Sequence, residues 1–294
     1  MAEKLFDDKF FNKLDSMSLR FTTAINNLYS GGRRSKMHGS TVEFANFREY
    51  IQGDDFRRID WNAYGRFEKF FIKLFLDEKQ LTTNIFVDMS GSMDFGNQTK
   101  ARMALKIAAA FAYLSAQATD RVSITGLSDG KTFEICPQMA GKASFYRSVE
   151  KMENISPGGE TRLGEALRGF KGLSGNTGAS IIITDLMTGE DYTEALKYLL
   201  FKKQQVVLVH VLSREEMEPQ MSGRLRLTDS ENGSYCDIDA NSKTLETYQK
   251  ALKAYLEEIK GFCLKTGIYY LPAVSDEDVE TVMLERGTAV GVIG

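Results

Sequence analysis

The chain is poor in the residues that most often build metal sites and acid–base centres. Its 294 residues include three cysteines and two histidines. Cys136, Cys236 and Cys263 are far apart and form no CxxC pair, which argues against a zinc finger or a disulfide framework. We expect each cysteine to be a small buried hydrophobic residue in a reducing compartment. His210 lies in an apolar run and His38 in a polar loop, so histidine-centred catalysis has little to draw on.

Proline is also scarce, and long apolar runs are missing. Four prolines stand where average usage of about 5% would give roughly fifteen, so long proline-rich linkers are not expected. No stretch approaches the eighteen or so apolar residues of a membrane helix, and the first residues show no signal-peptide pattern. A formal net charge of −3 gives no reason to expect nucleic acid or an anionic membrane as a partner. These features predict a cytoplasmic protein.

Hydrophobic patterning from Ile85 onward predicts an α/β fold. Short apolar runs typical of buried strands alternate with stretches of helical spacing. The predicted strands cover residues 83–87, 122–127, 132–136, 180–184, 205–212 and 268–273, and the predicted helices cover residues 100–118, 144–152, 163–170, 192–201 and 244–265. This alternation implies a Rossmann-like, mostly parallel sheet with helices on both faces, and the hairpin at residues 128–131 supplies one antiparallel edge.

The first 80 residues do not alternate in this way. We expect residues 1–80 to form an appendage, with an N-terminal helix and a small β-containing part, on an α/β domain of residues 81–294. Apolar spacing predicts one helix over residues 10–29, ended by Gly31-Gly32, and an extended segment over residues 70–76. Within the larger part, Asn232-Gly233 between alternating runs predicts a hairpin insertion near residues 222–240.

The clearest chemistry follows the first predicted strand of the α/β domain. Asp88, at its end, is followed by Ser90 and Ser92. Ligands bind open α/β sheets at the carboxyl ends of the strands. Thr161, before a predicted helix, and Asp185, at the end of another buried strand, lie in loops that this topology brings to the same edge. Hard oxygen donors of this kind suit Mg²⁺, Mn²⁺ or Ca²⁺ rather than zinc.

Each of these residues also has an ordinary structural interpretation. Asp-x-Ser-x-Ser is a short motif that more often belongs to a loop or a helix cap. Thr161 alone would be an N-cap, and Asp185 alone a turn residue at a strand end. Their joint occurrence, in order and at strand ends, favours a metal site.

Asp88, Ser90, Ser92, Thr161 and Asp185 together resemble the metal-ion-dependent adhesion site of von Willebrand factor A domains, and all five residues of that motif are present. The resemblance implies that the two serines bind Mg²⁺ directly, that the threonine binds directly or through water, and that the aspartates bind largely through water. A carboxylate of a partner protein commonly completes the shell in that family.

A second resemblance lies in residues 48–61. This segment is similar to the R-x-Y-x-x-G-D-x-x-R-x-I-D-W signature of the DUF58 family, which places it upstream of a von Willebrand A-like domain. The matching residues, with the arginine that follows, are Arg48, Tyr50, Gly53, Asp54, Arg57, Asp60, Trp61 and Arg66. The charges favour a structural ion-pair network in which Trp61 and Tyr50 are buried anchors. A protein-contact surface is the alternative.

The two resemblances imply a protein-binding module rather than an enzyme. Similar families often work with MoxR-type AAA+ ATPases in chaperone-like or complex-maturation roles, so such an ATPase or its client is the expected partner. Residues 33–73 carry nine basic and six acidic side chains, which is typical of a salt-bridged surface and not of a nucleic-acid footprint. Two alternatives stay open: an Mg²⁺-dependent hydrolase acting on phosphoesters, and a metal-free scaffold with a vestigial site.

Overall fold

The computed structural model describes residues 8–20, 43–52, 56, 59–76, 81–173 and 178–294. The chain divides into two compact units, one of residues 1–25 with 81–294 and one of residues 26–80. The smaller unit ends at residue 80, and the first 25 residues are grouped with residues 81–294.

The strands of the described residues are β1 (Glu43–Glu49), β2 (Phe71–Leu76), β3 (Thr82–Asp88), β4 (Arg121–Ser128), β5 (Lys131–Met139), β6 (Gly178–Thr184), β7 (Gln204–Leu212), β8 (Gly223–Thr228), β9 (Tyr235–Ala240) and β10 (Tyr269–Val274). The larger unit is built on a six-stranded sheet in the spatial order β10-β7-β6-β3-β4-β5. Every neighbouring pair is parallel except β4 and β5, which form the antiparallel edge. The predicted mostly parallel sheet is therefore confirmed.

The α-helices of the described residues are α1 (Asp8–Leu14), α2 (Trp61–Phe67), α3 (Lys100–Gln117), α4 (Lys142–Val149), α5 (Leu163–Gly169), α6 (Tyr192–Phe201), α7 (Arg214–Met217), α8 (Ser242–Thr266) and α9 (Gly287–Val290). Short 3₁₀ turns lie at Gly91–Asp94, Glu150–Asn154 and Lys171–Leu173, and a π-helical segment lies at Thr281–Arg286. None of the helices in the described part of the chain combines the length and apolar character needed to cross a bilayer.

Apolar residues at successive positions of the central strands face opposite sides of the sheet. Ile85 and Val87 of β3 lie in one buried cluster with residues of α1, α3 and α4. Phe86, between them, lies in a second buried cluster with residues of α5, α6 and α8. Because helices cover both faces, the strands need apolar residues at every position, which explains their continuous apolar runs.

The N-terminal helix is shorter than predicted. α1 ends at Leu14, and Leu19 forms an isolated antiparallel bridge with Ile293. On either side of that bridge, the Ser18 N–H donates to the Gly294 carbonyl over 2.8 Å, and residue 20 pairs with residue 292. The prediction of a single helix over residues 10–29 is therefore wrong for residues 15–19, because pairing with a distant segment overrides the local spacing. Residues 21–29 lie outside the described residues.

In the smaller unit, β1 and β2 form an antiparallel pair, and α2 begins at the tryptophan of the signature. Trp61 is 63% exposed, so the prediction that it is a buried anchor is wrong. It lies at the first position of a short helix with no buried residue, and its ring makes edge contacts with Tyr64 and Phe70. Tyr50 is partly buried and meets Phe70 edge-on.

Asp60 has a defined structural role in the same unit. Its Oδ1 accepts hydrogen bonds from the N–H groups of Asn62 and Ala63, at 2.9 and 3.2 Å, and so caps α2. Arg66 is exposed in the last turn of that helix. The other signature positions, Gly53, Asp54 and Arg57 together with the side chain of Arg48, lie outside what the structure describes.

The cysteines differ in exposure. Cys136 and Cys263 are buried, as predicted, but Cys236 is exposed. The prediction was wrong at this position because the hairpin of β8 and β9 presents mostly exposed residues.

Candidate metal centre

The five predicted ligands lie at or beside the carboxyl ends of two neighbouring strands. Asp88 ends β3, Ser90 and Ser92 follow it, Asp185 follows β6, and Thr161 precedes α5. Because β3 and β6 pair in parallel, their carboxyl ends meet at one edge of the sheet. The structure therefore brings these segments to the edge where the sequence predicted them.

The loop of the two serines is folded tightly onto Asp88. Asp88 Oδ1 accepts a hydrogen bond from the Ser90 N–H over 3.0 Å, and the Oγ atoms of Ser90 and Ser92 are 3.1 Å apart. In an octahedral Mg²⁺ complex with metal–oxygen distances of about 2.1 Å, adjacent ligand atoms are about 3.0 Å apart. The two hydroxyls are hydrogen-bonded to each other, and the same spacing is compatible with two adjacent ligands of one ion.

Backbone contacts join this loop to the loop of Thr161. The Gly91 N–H donates to the Gly159 carbonyl and the Gly158 N–H donates to the Met89 carbonyl, both over 2.8 Å. A Cβ at position 91 would lie 3.0 Å from the Ser230 carbonyl oxygen and 3.4 Å from that of Gly159. The close approach of three backbone segments therefore favours glycine at position 91.

Asp88 is a buried carboxylate held by neutral donors. It is 2% exposed, and its Oδ2 accepts a hydrogen bond from the Thr184 hydroxyl over 2.6 Å. Burial and the negative charge of Asp185 raise the pKa of Asp88 to about 6, against the opposing effect of its hydrogen bonds. No cationic side chain among the described residues pairs with it. A bound cation would relieve this unfavourable charge.

Asp185 lies in an ion-paired cluster that the sequence analysis missed. Lys100 Nζ lies 2.6 Å from Asp185 Oδ2 and 2.5 Å from Glu216 Oε1, and the lysine side chain is 1% exposed. Burial acts to lower the pKa of Lys100, but the charges of the two carboxylates outweigh it and hold that pKa above its ordinary value. Asp185 and Glu216 thus share one ammonium group, while Asp88 has no cationic partner among the described residues, and the excess negative charge of the three carboxylates fits a divalent cation.

Glu216 and Lys100, which the sequence analysis missed, each carry a local sequence signal. Ser213 and Glu216 form a reciprocal capping box at the start of α7, directly after β7, and S-x-x-E after a buried strand is readable from sequence. Lys100 lies at the first position of α3, where the helix dipole disfavours a cation. A lysine at such a position indicates a nearby anionic partner.

His210 supports the strand end from which Asp185 projects. Its Nε2 lies 2.9 Å from the Asp185 carbonyl oxygen and its Nδ1 lies 3.0 Å from the Tyr270 hydroxyl. A carbonyl only accepts, so Nε2 carries the hydrogen and Nδ1 accepts from the tyrosine. Burial lowers the pKa of His210 to about 4, which keeps the ring neutral at pH 7. The predicted core or strand-end position of this histidine is confirmed.

Thr161 contacts a carboxylate that was predicted only as part of a hairpin turn. Its hydroxyl donates to Glu231 Oε1 over 2.7 Å, and its N–H donates to Glu231 Oε2 over 3.0 Å. The Thr161 carbonyl accepts from the Thr188 hydroxyl over 3.1 Å, which joins this loop to the segment after β6.

The donor chemistry decides what kind of ion would fit. In the described part of the chain, no group of three or more histidine, cysteine, aspartate or glutamate side chains is arranged to hold a metal. An ion here would depend on hydroxyl oxygens as well as carboxylates, a donor set that suits a hard cation. The role of the five residues as ligands stays a prediction.

Comparison with known sequences identifies relatives over most of the chain. A family model described as "Protein of unknown function DUF58" matches residues 46–258. The chain is 22% identical over 277 residues to the uncharacterized protein Rv1480 of Mycobacterium tuberculosis, which covers 92% of this chain and 87% of that protein. The uncharacterized protein Mb1516 of Mycobacterium bovis matches with the same identity and coverage.

Comparison with solved structures finds partial matches. The conserved hypothetical protein BatB from Bacteroides thetaiotaomicron is 20% identical, with a TM-score of 0.37, covering 62% of this chain and 98% of its own. An aerotolerance-related membrane protein from Bacteroides fragilis is 16% identical, with a TM-score of 0.43, covering 71% and 98%. The VWA domain of SpRpn10 is 11% identical, with a TM-score of 0.33, covering 45% and 76%.

Proposed function

This chain belongs to the DUF58 family, and we propose that it is a metal-dependent protein-binding module whose Mg²⁺ site engages a carboxylate of a partner protein. The observation that carries the proposal is the buried Asp88, which lacks a cationic partner among the described residues and lies beside two hydroxyl oxygens with the spacing of adjacent metal ligands. Asp88, Ser90, Ser92, Thr161 and Asp185 would hold the ion. When bound, Mg²⁺ supplies an electrophilic centre for an anionic ligand.

The surrounding residues prepare this edge of the sheet for binding. Thr184 donates to Asp88 Oδ2 and so fixes the orientation of that carboxylate. Lys100 orients Asp185 by an ion pair, and the Met187 N–H donates to the other oxygen of Asp185 over 2.9 Å. These contacts hold the oxygen atoms in place before any ligand arrives, which lowers the entropic cost of binding.

A binding role is also favoured over an enzymatic one. General base catalysis needs a side chain that can take up a proton near neutral pH. His210 is the histidine beside the site, and both of its ring nitrogens are already hydrogen-bonded. Its lowered pKa makes it a poor base at pH 7. Asp88, whose pKa is raised to about 6, is assigned to the metal rather than to proton transfer, and we therefore propose that the module binds without turning over its ligand.

The proposed partner is a MoxR-type AAA+ ATPase or the client of such an ATPase, in a chaperone-like or complex-maturation role. The support is the resemblance of the sequence to families that work with these ATPases. The segment Gly31 to Lys36 lacks the Gly-Lys-Ser/Thr end of a nucleotide-binding loop, so ATP-driven work would have to come from the partner.

Titration calorimetry with Mg²⁺ and Mn²⁺ tests the metal site. Asp88→Asn keeps the shape of the side chain but removes its charge, and we expect it to weaken binding at least about tenfold, as loss of a group that holds the metal through water typically does. Asp94→Asn is the matched control, because Asp94 is exposed in the turn directly after the serines. Absence of metal-dependent heat in the wild type with both ions would rule out the site.

The partner is tested separately, with purified MoxR-type ATPase and the full chain, in Mg²⁺ and in EDTA. Complex formation that is lost in EDTA and in Asp88→Asn supports the proposal. Complex formation that is unaffected both by EDTA and by Asp88→Asn contradicts the metal-mediated mechanism. Hydrolysis of a generic phosphoester by the wild type but not by Asp88→Asn would favour the alternative of a metal-dependent hydrolase.

A further inference from the structure

The hairpin of β8 and β9 is joined to the larger unit mainly through polar contacts. Eleven of its twelve strand residues are exposed or partly exposed, and Ala240 at its base is the buried one. Across the hairpin, Arg226 and Asp237 form two hydrogen bonds, of 2.7 and 2.9 Å. Exposed ion pairs of this kind contribute about 0–1 kcal/mol. Little apolar packing therefore opposes movement of this hairpin.

The turn of the hairpin presents one carboxylate in a defined position. Asp229 Oδ1 accepts hydrogen bonds from the N–H groups of Glu231 and Asn232, at 2.8 and 3.3 Å, and Asp229 Oδ2 accepts from the Asn232 side chain over 2.9 Å. Gly233 adopts the left-handed conformation, with a φ of 71°, that closes the turn. These contacts fix the backbone around Glu231 and so determine where the Glu231 side chain lies.

The Glu231 side chain lies at the candidate metal centre. Both oxygens of Glu231 accept hydrogen bonds from Thr161, one from its hydroxyl and one from its N–H. The carbonyl of the preceding residue, Ser230, approaches Gly91 between the two serines. The carboxylate of a glutamate of the same chain thus contacts Thr161, one of the five predicted ligands, and its neighbour lies against the loop of the two serines.

We propose that Glu231 is an internal carboxylate ligand of this site, which the carboxylate of the partner must displace, so that the hairpin regulates access to the metal. The inference rests on the proposed metal-dependent binding. A tethered carboxylate acts at an effective concentration in the millimolar range or above, so it competes with any free carboxylate until the hairpin moves away. The exposed strands give the hairpin the freedom for that movement.

The experiment uses the full chain with Mn²⁺ as the probe metal and acetate as the probe carboxylate. Relaxation of water protons by bound Mn²⁺ measures how many water molecules the ion carries, and acetate lowers that number when it binds. We expect acetate to displace water at about tenfold lower concentration in Glu231→Gln than in the wild type, because the tethered competitor has lost its charge. Glu231→Ala, which removes the competing group altogether, should respond at least as strongly.

Asp237→Asn is the matched control, because it removes one carboxylate from the same hairpin without touching Thr161. It should respond to acetate as the wild type does. Mn²⁺ binding with the same acetate midpoint in the wild type and both Glu231 variants overturns the inference and leaves the proposed function intact. Absence of Mn²⁺ binding in the wild type overturns the proposed function, and the inference with it.

Discussion

Replacing Lys100 by methionine should destabilise the larger unit by about 3–5 kcal/mol, the usual cost of removing one partner of a buried ion pair. Methionine fills most of the volume of the lysine stem but leaves Asp185 and Glu216 without a counter-charge. The side chain of Asp185 is 0% exposed and that of Glu216 is 15% exposed. Glu216 can therefore regain water more easily, and most of the loss should come from Asp185. We expect a value near the lower end, about 3 kcal/mol.

Urea unfolding followed by far-ultraviolet circular dichroism measures this free energy. The fluorescence of Trp61, the only tryptophan, would report on the smaller unit of residues 26–80 instead. Lys106→Met in the same helix is the matched control and should change the free energy of unfolding by less than about 0.5 kcal/mol. A loss below about 1 kcal/mol for Lys100→Met would refute the assignment of Lys100 as the charge that stabilises Asp185.

Two further predictions concern positions outside the candidate site. Asp120 is 7% exposed, its Oδ1 accepts from the Leu81 N–H over 3.0 Å, and its Oδ2 has no hydrogen-bond partner among the described residues. Burial raises the pKa of Asp120 to about 6, above its value in the unfolded chain. The folded protein therefore binds this proton more tightly than the unfolded chain does. The contribution of the protonated carboxyl group to stability is full below about pH 4 and is lost as the pH rises through 6. Asp120→Asn should therefore reduce the loss of stability between pH 4 and 7 by up to about 3 kcal/mol in urea unfolding, and an unchanged pH profile would contradict this. Gly261→Ala in α8 should raise the free energy of unfolding by about 1 kcal/mol, because a Cβ there meets no atom within 4 Å. Gly267→Ala, where φ is 73°, should lower it, and equal effects of the two alanines would contradict this reasoning.

The α/β core could be predicted because its pattern is local. All seven residues of β6 are buried, and such a run in a short segment indicates a strand covered on both faces. The edge that would carry the site followed from parallel topology alone. The N-terminal segment shows the limit of this approach, because the bridge partner of Leu19 is Ile293, at the other end of the chain. Its apolar spacing fitted a helix, and no local window contains the information that it pairs with a distant segment.

The site was predictable in its position but only partly in its chemistry. The positions of the loops that carry Asp88 and Asp185 could be predicted from the order of the strands along the chain. The contact of Lys100 with Glu216 spans 116 residues, and that of Thr161 with Glu231 spans 70. Sequence spacing cannot reveal contacts over such separations, because they depend on how loops and insertions pack in three dimensions. Trp61 was misjudged for a related reason, since aromatic character favours burial but does not require it.

The pairing of residues 18–20 with residues 292–294 constrains the order in which the larger unit can fold during translation. The Ser18 hydroxyl bonds to the Gly294 carbonyl across 276 residues. A ribosome adding about 5–20 residues per second needs roughly 15 to 55 seconds to cover that interval. During that time α1 can already pack on α3 and α4 through Phe11, Tyr113 and Phe145, whereas the backbone of residues 18–20 still lacks its partner. This pairing of the larger unit can therefore form only after residues 292–294 have been translated.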